Sequence, residues 1–262
     1  MSFDGQVAIV TGASSGIGLA LSRALALEGC KVGLIARRAE KLQALADEIA
    51  KAGGRAEVAA ADVGDRAQVV AAISDVARRL GPVDLLVANA GVGAPTLLDP
   101  PNVADVEKMF RVNVLGVVYS LEAVLPDMLK RRSGHVAAVS SLAAYKGLPG
   151  ESGYSSSKAA VNNYMEGLRI QLRDRGITVT TICPGFVKTP MTDVNNFKMP
   201  WLLEADDAAR RIVRALQRKK KVFNFPWQLA LIMKATAWLP DWIVARSMQD
   251  YNEDPPMPAS SL

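Results

Sequence analysis

The segment Val7-Ala8-Ile9-Val10-Thr11-Gly12-Ala13-Ser14-Ser15-Gly16-Ile17-Gly18 carries the strongest structural signal in the chain. Residues 7–11 form an apolar run of strand length, and a helical pattern covers residues 17–27. Each glycine between them meets a separate demand. Gly12 permits the sharp turn, Gly16 lets backbone approach a pyrophosphate, and Gly18 allows helix and strand to pack closely. The helix N-terminus offers free N–H groups and a partial positive charge, so Gly12, Ser14, Ser15, Gly16, Ile17 and Gly18 are candidate phosphate contacts. The spacing is G-x-x-x-G-x-G rather than G-x-G-x-x-G. A glycine-rich turn without a ligand is the bland alternative, and the placement between strand and helix favours binding.

Outward from this turn the chain keeps alternating. Strand-like runs at 31–36, 56–61, 83–88, 135–140 and 178–183 are separated by helical patterns at 39–52, 65–80, 103–131 and 153–175. The segment 103–131 reads as one long helix, or as two with a bend. A basic helix at 209–217 precedes a short strand at 222–225. Parallel strands joined by helical crossovers predict an α/β fold, a Rossmann-like doubly wound parallel sheet with helices on both faces, in a single domain. Residues 1–225 are expected to form the dinucleotide-binding and catalytic body. Residues 226–262 add a C-terminal apolar helix and a Pro-rich tail, with 252–262 expected to be disordered.

Composition agrees. The 262 residues are 50% hydrophobic, 22% charged and 6% aromatic. That is enough for one large domain burying roughly 70–75% of its unfolded surface. A mean hydropathy of +0.13 excludes a disordered protein. Cys30 and Cys183 cannot build a disulfide framework and suit a reducing compartment. The single histidine, His135, excludes His-based metal clusters and disfavours a Ser-His-Asp site, so no metal is expected. His135 opens a strand and reads as structural, and Cys183 reads as a buried apolar residue. A net charge of +5 and a pI near 9.2 suit an anionic cofactor without signalling nucleic acid. The first six residues are short and polar, with no signal peptide, which points to the cytoplasm.

The second strand ends in Ala36-Arg37-Arg38, where an acidic residue would bond a ribose 2′-hydroxyl. Two arginines instead attract a 2′-phosphate, so NADP(H) is favoured over NAD(H) and Arg37 is expected to carry the discrimination. Arg38 reads either as a second contact or as a solvated helix start. Further along, Tyr154 and Lys158 stand at i and i+4 on one helix face. A tyrosine near pKa 10 is a poor acid–base group at neutral pH. A lysine ammonium and a cationic nicotinamide nearby are expected to depress it by about 2–3 pH units.

Together with Thr11–Gly18, the residues Asp62-Val63, Asn89-Ala90-Gly91, Asn113, Ser141, Tyr154, Lys158, Pro184-Gly185 and Thr189 give the chain a resemblance to the short-chain dehydrogenase/reductase family over residues 5 to about 220. Each motif is weak alone, but their shared order and spacing are specific, and Ser141 stands thirteen residues before the tyrosine. The resemblance implies hydride transfer between nicotinamide and a carbonyl or alcohol. It implies that Tyr154 exchanges the proton, Ser141 holds the substrate oxygen, Lys158 binds the nicotinamide ribose and Asn113 anchors a water behind the lysine. It further implies adenine contacts at Asp62 and Val63, a cleft lining at Asn89, Ala90 and Gly91, and a nicotinamide seat at Pro184, Gly185, Val187 and Thr189. Ser140 is the rival of Ser141, and strand alternation lets only one of them face substrate.

In the family the region at about 188–205 forms a lid. Leu148, Phe186 and Met191, with Ser141 and Tyr154, are candidate substrate contacts, and their apolar character points to an apolar ketone or alcohol. Beyond residue 218 the chain departs from the family's simple ending. A basic cluster at 218–221 stands beside an apolar, Trp-bearing stretch too short to span a bilayer. It reads as a cover for the cleft, as a subunit contact, or, through residues 218–245, as a peripheral membrane contact. The family resemblance also implies a homodimer or homotetramer through the helices near 103–131 and 153–175. The rival functional readings are a catalytically silent NADP(H)-binding regulatory or scaffolding protein and a sugar-nucleotide enzyme, for which the chain has little room.

Overall fold

The computed structural model describes residues 3–194 and 197–247. Seven parallel strands form one sheet: β1 (Val7–Thr11), β2 (Lys31–Ala36), β3 (Arg55–Ala60), β4 (Leu85–Ala88), β5 (Gly134–Val139), β6 (Ile177–Pro184) and β7 (Val222–Phe225), in the order β3-β2-β1-β4-β5-β6-β7. All five residues of β1 are buried, as a strand covered on both faces requires. The strand order reverses between β1 and β4, and their carboxyl ends open the crevice where ligands bind in such sheets.

Helices α1 (Gly16–Leu27), α2 (Ala39–Lys51) and α7 (Ala205–Gln217) cover one face, where Leu21, Leu25, Leu42, Leu45 and Ile212 pack with Val10, Leu34 and Ile182. Helix α3 (Arg66–Leu80), the pair α4 (Val103–Phe110) and α5 (Gly116–Arg131), and α6 (Ser152–Gln171) cover the other. There Val69, Ile73, Leu121, Val161 and Met165 meet Ile9, Leu86 and Val136. Asp65 caps α3 by accepting from the Gln68 N–H at 3.1 Å. Val103–Arg131 is long and apolar enough to cross a membrane by composition alone. Its second half instead packs Val117, Leu121, Val124 and Met128 onto the sheet.

Several expected boundaries move, for local reasons. The 103–131 segment is interrupted by a π turn at Arg111–Leu115. The helix expected to reach residue 175 ends at Gln171, because residues 172–176 close into hydrogen-bonded turns and Gly176 takes φ +75°. The helix expected from 209 begins at Ala205, where Asp206 and Asp207 suit the positive end of the helix dipole. After β7, α8 (Trp227–Thr236) tucks Leu229 and Ala230 against Leu142 and Cys183, and α9 (Asp241–Ser247) follows. The tail expectation at 252–262 lies outside the described residues.

Candidate active site

The glycine turn after β1 is built by steric necessity. Gly12 and Gly16 take φ +70° and +54°, a backbone region costly for other residues. A Cβ on Gly18 would stand 2.3 Å from the Gly12 carbonyl oxygen, and one on Gly16 would stand 2.9 Å from the Thr189 methyl. Gly18 therefore folds the turn onto itself, and Gly16 admits the segment after β6. Ser15, which opens α1, makes no side-chain cap, so the first amides of the helix keep their N–H groups for a ligand.

The turn after β4 is tied to the same place. Thr11 Oγ1 accepts from the N–H groups of Asn89 and Ala90 at 3.0 and 3.1 Å, and Asn89 Nδ2 donates to the Thr11 carbonyl at 2.9 Å. Asp62 Oδ1 accepts from the Gly64 N–H at 2.9 Å. The Thr11 bonds hold the carboxyl ends of β1 and β4 together, and the Asp62 bond shapes the turn after β3 that lines the same cleft.

Arg38 stands exposed at the start of α2, and it is also tied to the glycine turn. Its Nη2 donates to Ser14 Oγ at 2.9 Å and Ser15 Oγ at 2.8 Å, which clamps β2 to the glycine turn. Arg37 stands 64% exposed with its guanidinium 4.0 Å from Asp62 and is free to meet an anion. A cavity of about 310 Å³ runs from this arginine pair to Tyr154 and Met191. Ser14, Ser15, Gly16, Ile17, Asp62, Val63, Asn89, Ala90, Gly91, Pro184, Gly185, Val187 and Thr189 line it between those ends. Gly18, Asn113, Leu148 and Phe186 stand outside its wall. Phe186 instead packs behind the site against the Leu142–Cys183 cluster, its ring 5.8 Å from that of Phe197.

At the far end Tyr154 and Lys158 rise from the first turns of α6, with Lys158 Nζ 5.8 Å from the phenol ring centroid. Lys158 Nζ donates to the Val139 carbonyl at 3.0 Å. Ser141 Oγ accepts from the Ala143 N–H at 3.1 Å and shares a hydrogen bond with Tyr154. The alternation argument for the two serines does not apply, because β5 stops at Val139 and Ser141 starts a 3₁₀ turn. Both line the cavity, but the Ser140 hydroxyl is spent on the Lys158 carbonyl at 2.9 Å.

Burial pushes the Tyr154 phenol up to about 12, Glu151 adds to the rise, and the Ser141 hydrogen bond opposes it; the expected depression belongs to the phenol with a cationic nicotinamide beside it. Burial also pulls Lys158 down to about 8. Glu151, one helical turn before Tyr154, is pushed up to about 7 by burial. Sequence reasoning missed Glu151, for spacing carries no signal of burial. It also missed Thr192, whose hydroxyl accepts from the Thr189 N–H at 3.0 Å and donates to the Val187 carbonyl at 2.7 Å. His135 is held neutral, at about 4, by burial beside Thr180, and burial lifts the free thiols of Cys30 and Cys183 to about 12 and 11. Cys183 is buried, as expected, and so are His135 and Cys30.

The residues fit a dinucleotide. An uncapped helix start, a glycine cradle that a Cβ would fill, cationic groups at one end and a proton-carrying phenol at the other match a diphosphate-linked ligand. Comparison with known proteins agrees. A family model described as short chain dehydrogenase matches residues 6–199. An uncharacterized oxidoreductase of Myxococcus xanthus is 42% identical over 236 residues, covering 90% of this chain and 93% of that protein. The glycine betaine reductase of Emericella nidulans is 38% identical over 228 residues, but only 18% of that longer protein is matched. Among solved structures, a short chain dehydrogenase/reductase from Burkholderia phymatum in complex with NAD superposes with TM-score 0.82 at 28% identity, covering 98% of this chain and 99% of that one. A variant of actinorhodin polyketide ketoreductase with NADPH gives TM-score 0.79 at 28% identity, over 86% and 97% of the two chains.

Proposed function

The chain belongs to the short-chain dehydrogenase family, and on that premise we propose that it is an NADP(H)-dependent oxidoreductase interconverting an apolar ketone and a secondary alcohol. The observation that carries the reading is one continuous cleft with an arginine pair at its entrance and Ser141, Tyr154 and Lys158 at its end. Bound nicotinamide supplies or accepts the hydride. Ser14, Ser15, Gly16 and Ile17 hold the diphosphate, with Gly12 and Gly18 shaping the turn, and Arg37 and Arg38 meet a 2′-phosphate. Asp62 and Val63 flank the adenine, Asn89, Ala90 and Gly91 line the middle, and Pro184, Gly185, Val187 and Thr189 seat the far end.

Tyr154 donates its proton to the carbonyl oxygen in reduction and accepts one in oxidation, while Ser141 holds that oxygen in line. Lys158 binds ribose hydroxyls, and Asn113 positions the wall beside it. Met191 lies against the substrate, and Val92 and Gly93 wall the same end. The polyketide ketoreductase solved with NADPH supports ketone reduction, and the arginines support the phosphorylated cofactor over the NAD of the Burkholderia structure. Exposed Phe110, Leu115, Tyr164 and Ile170 fit a homodimer or homotetramer through α4, α5 and α6. A cytoplasmic enzyme fits the two free, buried thiols.

A library of ketones and alcohols, monitored by nicotinamide absorbance with both cofactors, tests the reading. Expected are turnover with NADPH on apolar ketones and loss of turnover by about 10²-fold or more in Tyr154→Phe with NADPH binding kept. A preference for charged substrates, or an active Tyr154→Phe, overturns it.

A further inference from the structure

We propose that α8 and α9 form a docking surface for an anionic lipid bilayer, held by tryptophans and flanked by lysines and arginines. Helix α8 spends only its inner face on the fold, through Leu229 and Ala230. Outward it leaves Trp227 67%, Leu231 60% and Ile232 48% exposed. The turn into α9 leaves Trp238 90% exposed, and α9 leaves Trp242 69% exposed. Three of the four tryptophans in the chain thus face solvent on two adjoining helices and the turn between them. Indole rings combine a large apolar body with one N–H donor, which suits the headgroup boundary of a bilayer rather than water or a dry core.

Length and charge narrow the occupant. Helices of 10 and 7 residues cannot cross a bilayer, so they lie along its surface. Residues 205–247 carry nine Lys or Arg against three acids, Asp206, Asp207 and Asp241; Asp207 pairs with Arg210, and the Asp241 carboxylate is taken by Lys146 at 3.0 Å. A second copy docking here about a two-fold axis would set these like charges against one another. An anionic lipid surface complements them instead. The exposed basic run at 218–221 precedes the four-residue edge strand β7 and α8 follows it, which sets them about 13 Å apart along the sheet edge.

The patch also adjoins the substrate end. Phe186 packs on the cluster that seats α8, and its ring meets Phe197 of the lid region at 5.8 Å. The Phe186–Phe197 contact therefore links the seat of α8 to the lid region. The docking itself stands apart from the hydride chemistry, because lipid binding is measured without turnover.

The test is flotation of the full chain with vesicles of phosphatidylcholine alone and of phosphatidylcholine mixed with phosphatidylglycerol. The expected result is binding to the mixed vesicles, little binding to phosphatidylcholine alone, release by high salt, and a blue shift of tryptophan emission on binding. The double variant W238A/W242A should lose about tenfold in partitioning. K221E/R246E, at two exposed positions, should lose about fivefold or more on mixed vesicles. Both should keep wild-type turnover of a water-soluble ketone. Absent binding to mixed vesicles, or variants that bind like wild type, would overturn the proposal. So would W238A/W242A lowering the oligomer mass when the wild type ignores lipid, which assigns the patch to a second copy.

Discussion

Asn113 grips Val92 at both ends of one residue. Its Oδ1 accepts from the Val92 N–H at 2.8 Å and its Nδ2 donates to the Val92 carbonyl at 2.9 Å. The same Nδ2 donates to Ser157 Oγ at 2.9 Å. A Cβ on the neighbouring Gly93 would stand 3.5 Å from the Tyr154 ring and 3.7 Å from the Met191 sulfur. The backbone held by Asn113 is therefore the wall between the proton carrier and the lid. Asn113 reaches it from the π turn, a widened helical turn of the kind that collects at functional sites.

Asn113 is 1% exposed, so removing its amide strands the groups it serves. Asn113→Ala should lower unfolding free energy by about 2–4 kcal/mol, the cost of leaving buried backbone groups unpaired. Turnover should fall with it, while Asn113→Asp, which keeps the acceptor and loses the donors, should lie between. Urea titration with parallel kinetics checks this, and a wild-type midpoint for Asn113→Ala would contradict the assigned grip.

The two arginines should separate by what each already holds. Arg37 is exposed and, among the described residues, its only ion-pair contact is the distant one to Asp62, so Arg37→Ala should reduce the preference for NADPH over NADH by about tenfold, with NADH kinetics unchanged. Arg38 also ties Ser14 and Ser15, so Arg38→Ala should weaken both cofactors by loosening the diphosphate turn. Fluorescence titration with each cofactor reads the difference. An unchanged ratio in Arg37→Ala would remove it from cofactor selection.

The alkaline side of the rate profile should belong to the lysine, not the tyrosine. Burial sets Lys158 at about 8 and Tyr154 at about 12. Below pH 8 the ammonium is present and the phenol is protonated. Above it the ammonium is lost while the phenol still holds its proton. For ketone reduction kcat/KM should be flat near pH 6–7 and should fall about tenfold per pH unit above about 8. Lys158→Arg keeps a permanent charge, so its alkaline limb should move upward whatever its maximum rate. A limb at the same pH in the variant would assign the titration elsewhere.

Much of this was legible in the sequence, for identifiable reasons. Runs such as Val7–Thr11 and Lys31–Ala36 are apolar on both faces, which only a covered parallel strand requires, and helical periodicity supplies the crossovers. The site residues sit at turns where residue type is dictated locally, as Gly12 and Gly16 are by positive φ. What sequence spacing does not encode is how a side chain ends up partnered or buried. Arg38 bonding Ser14, Ser140 spent on the Lys158 carbonyl, and the Thr192 hydroxyl bracing Val187 all depend on loop geometry across long separations. The rise that burial alone gives the Tyr154 phenol is unreadable for the same reason: charge partners follow from i, i+4 spacing, and desolvation does not.

Glu151 is the residue where that unseen burial should be measurable. Its carboxyl is pushed up to about 7 in the folded chain, against 4.5 when solvated. The folded state therefore favours the protonated form. Its contribution to stability is full below about pH 4.5 and is lost as pH rises through 7, where the folded chain must carry a buried carboxylate. Glu151→Gln stays neutral throughout. Its melting temperature should lie close to wild type at pH 5 and exceed it by a few degrees at pH 8, as expected for about 2–3 kcal/mol in a domain of this size. The same substitution removes a charge that raises the Tyr154 phenol, so ultraviolet titration should show that phenol ionising at lower pH than in the wild type. A melting difference independent of pH, with an unmoved phenol, would show that Glu151 is solvated and remote from Tyr154.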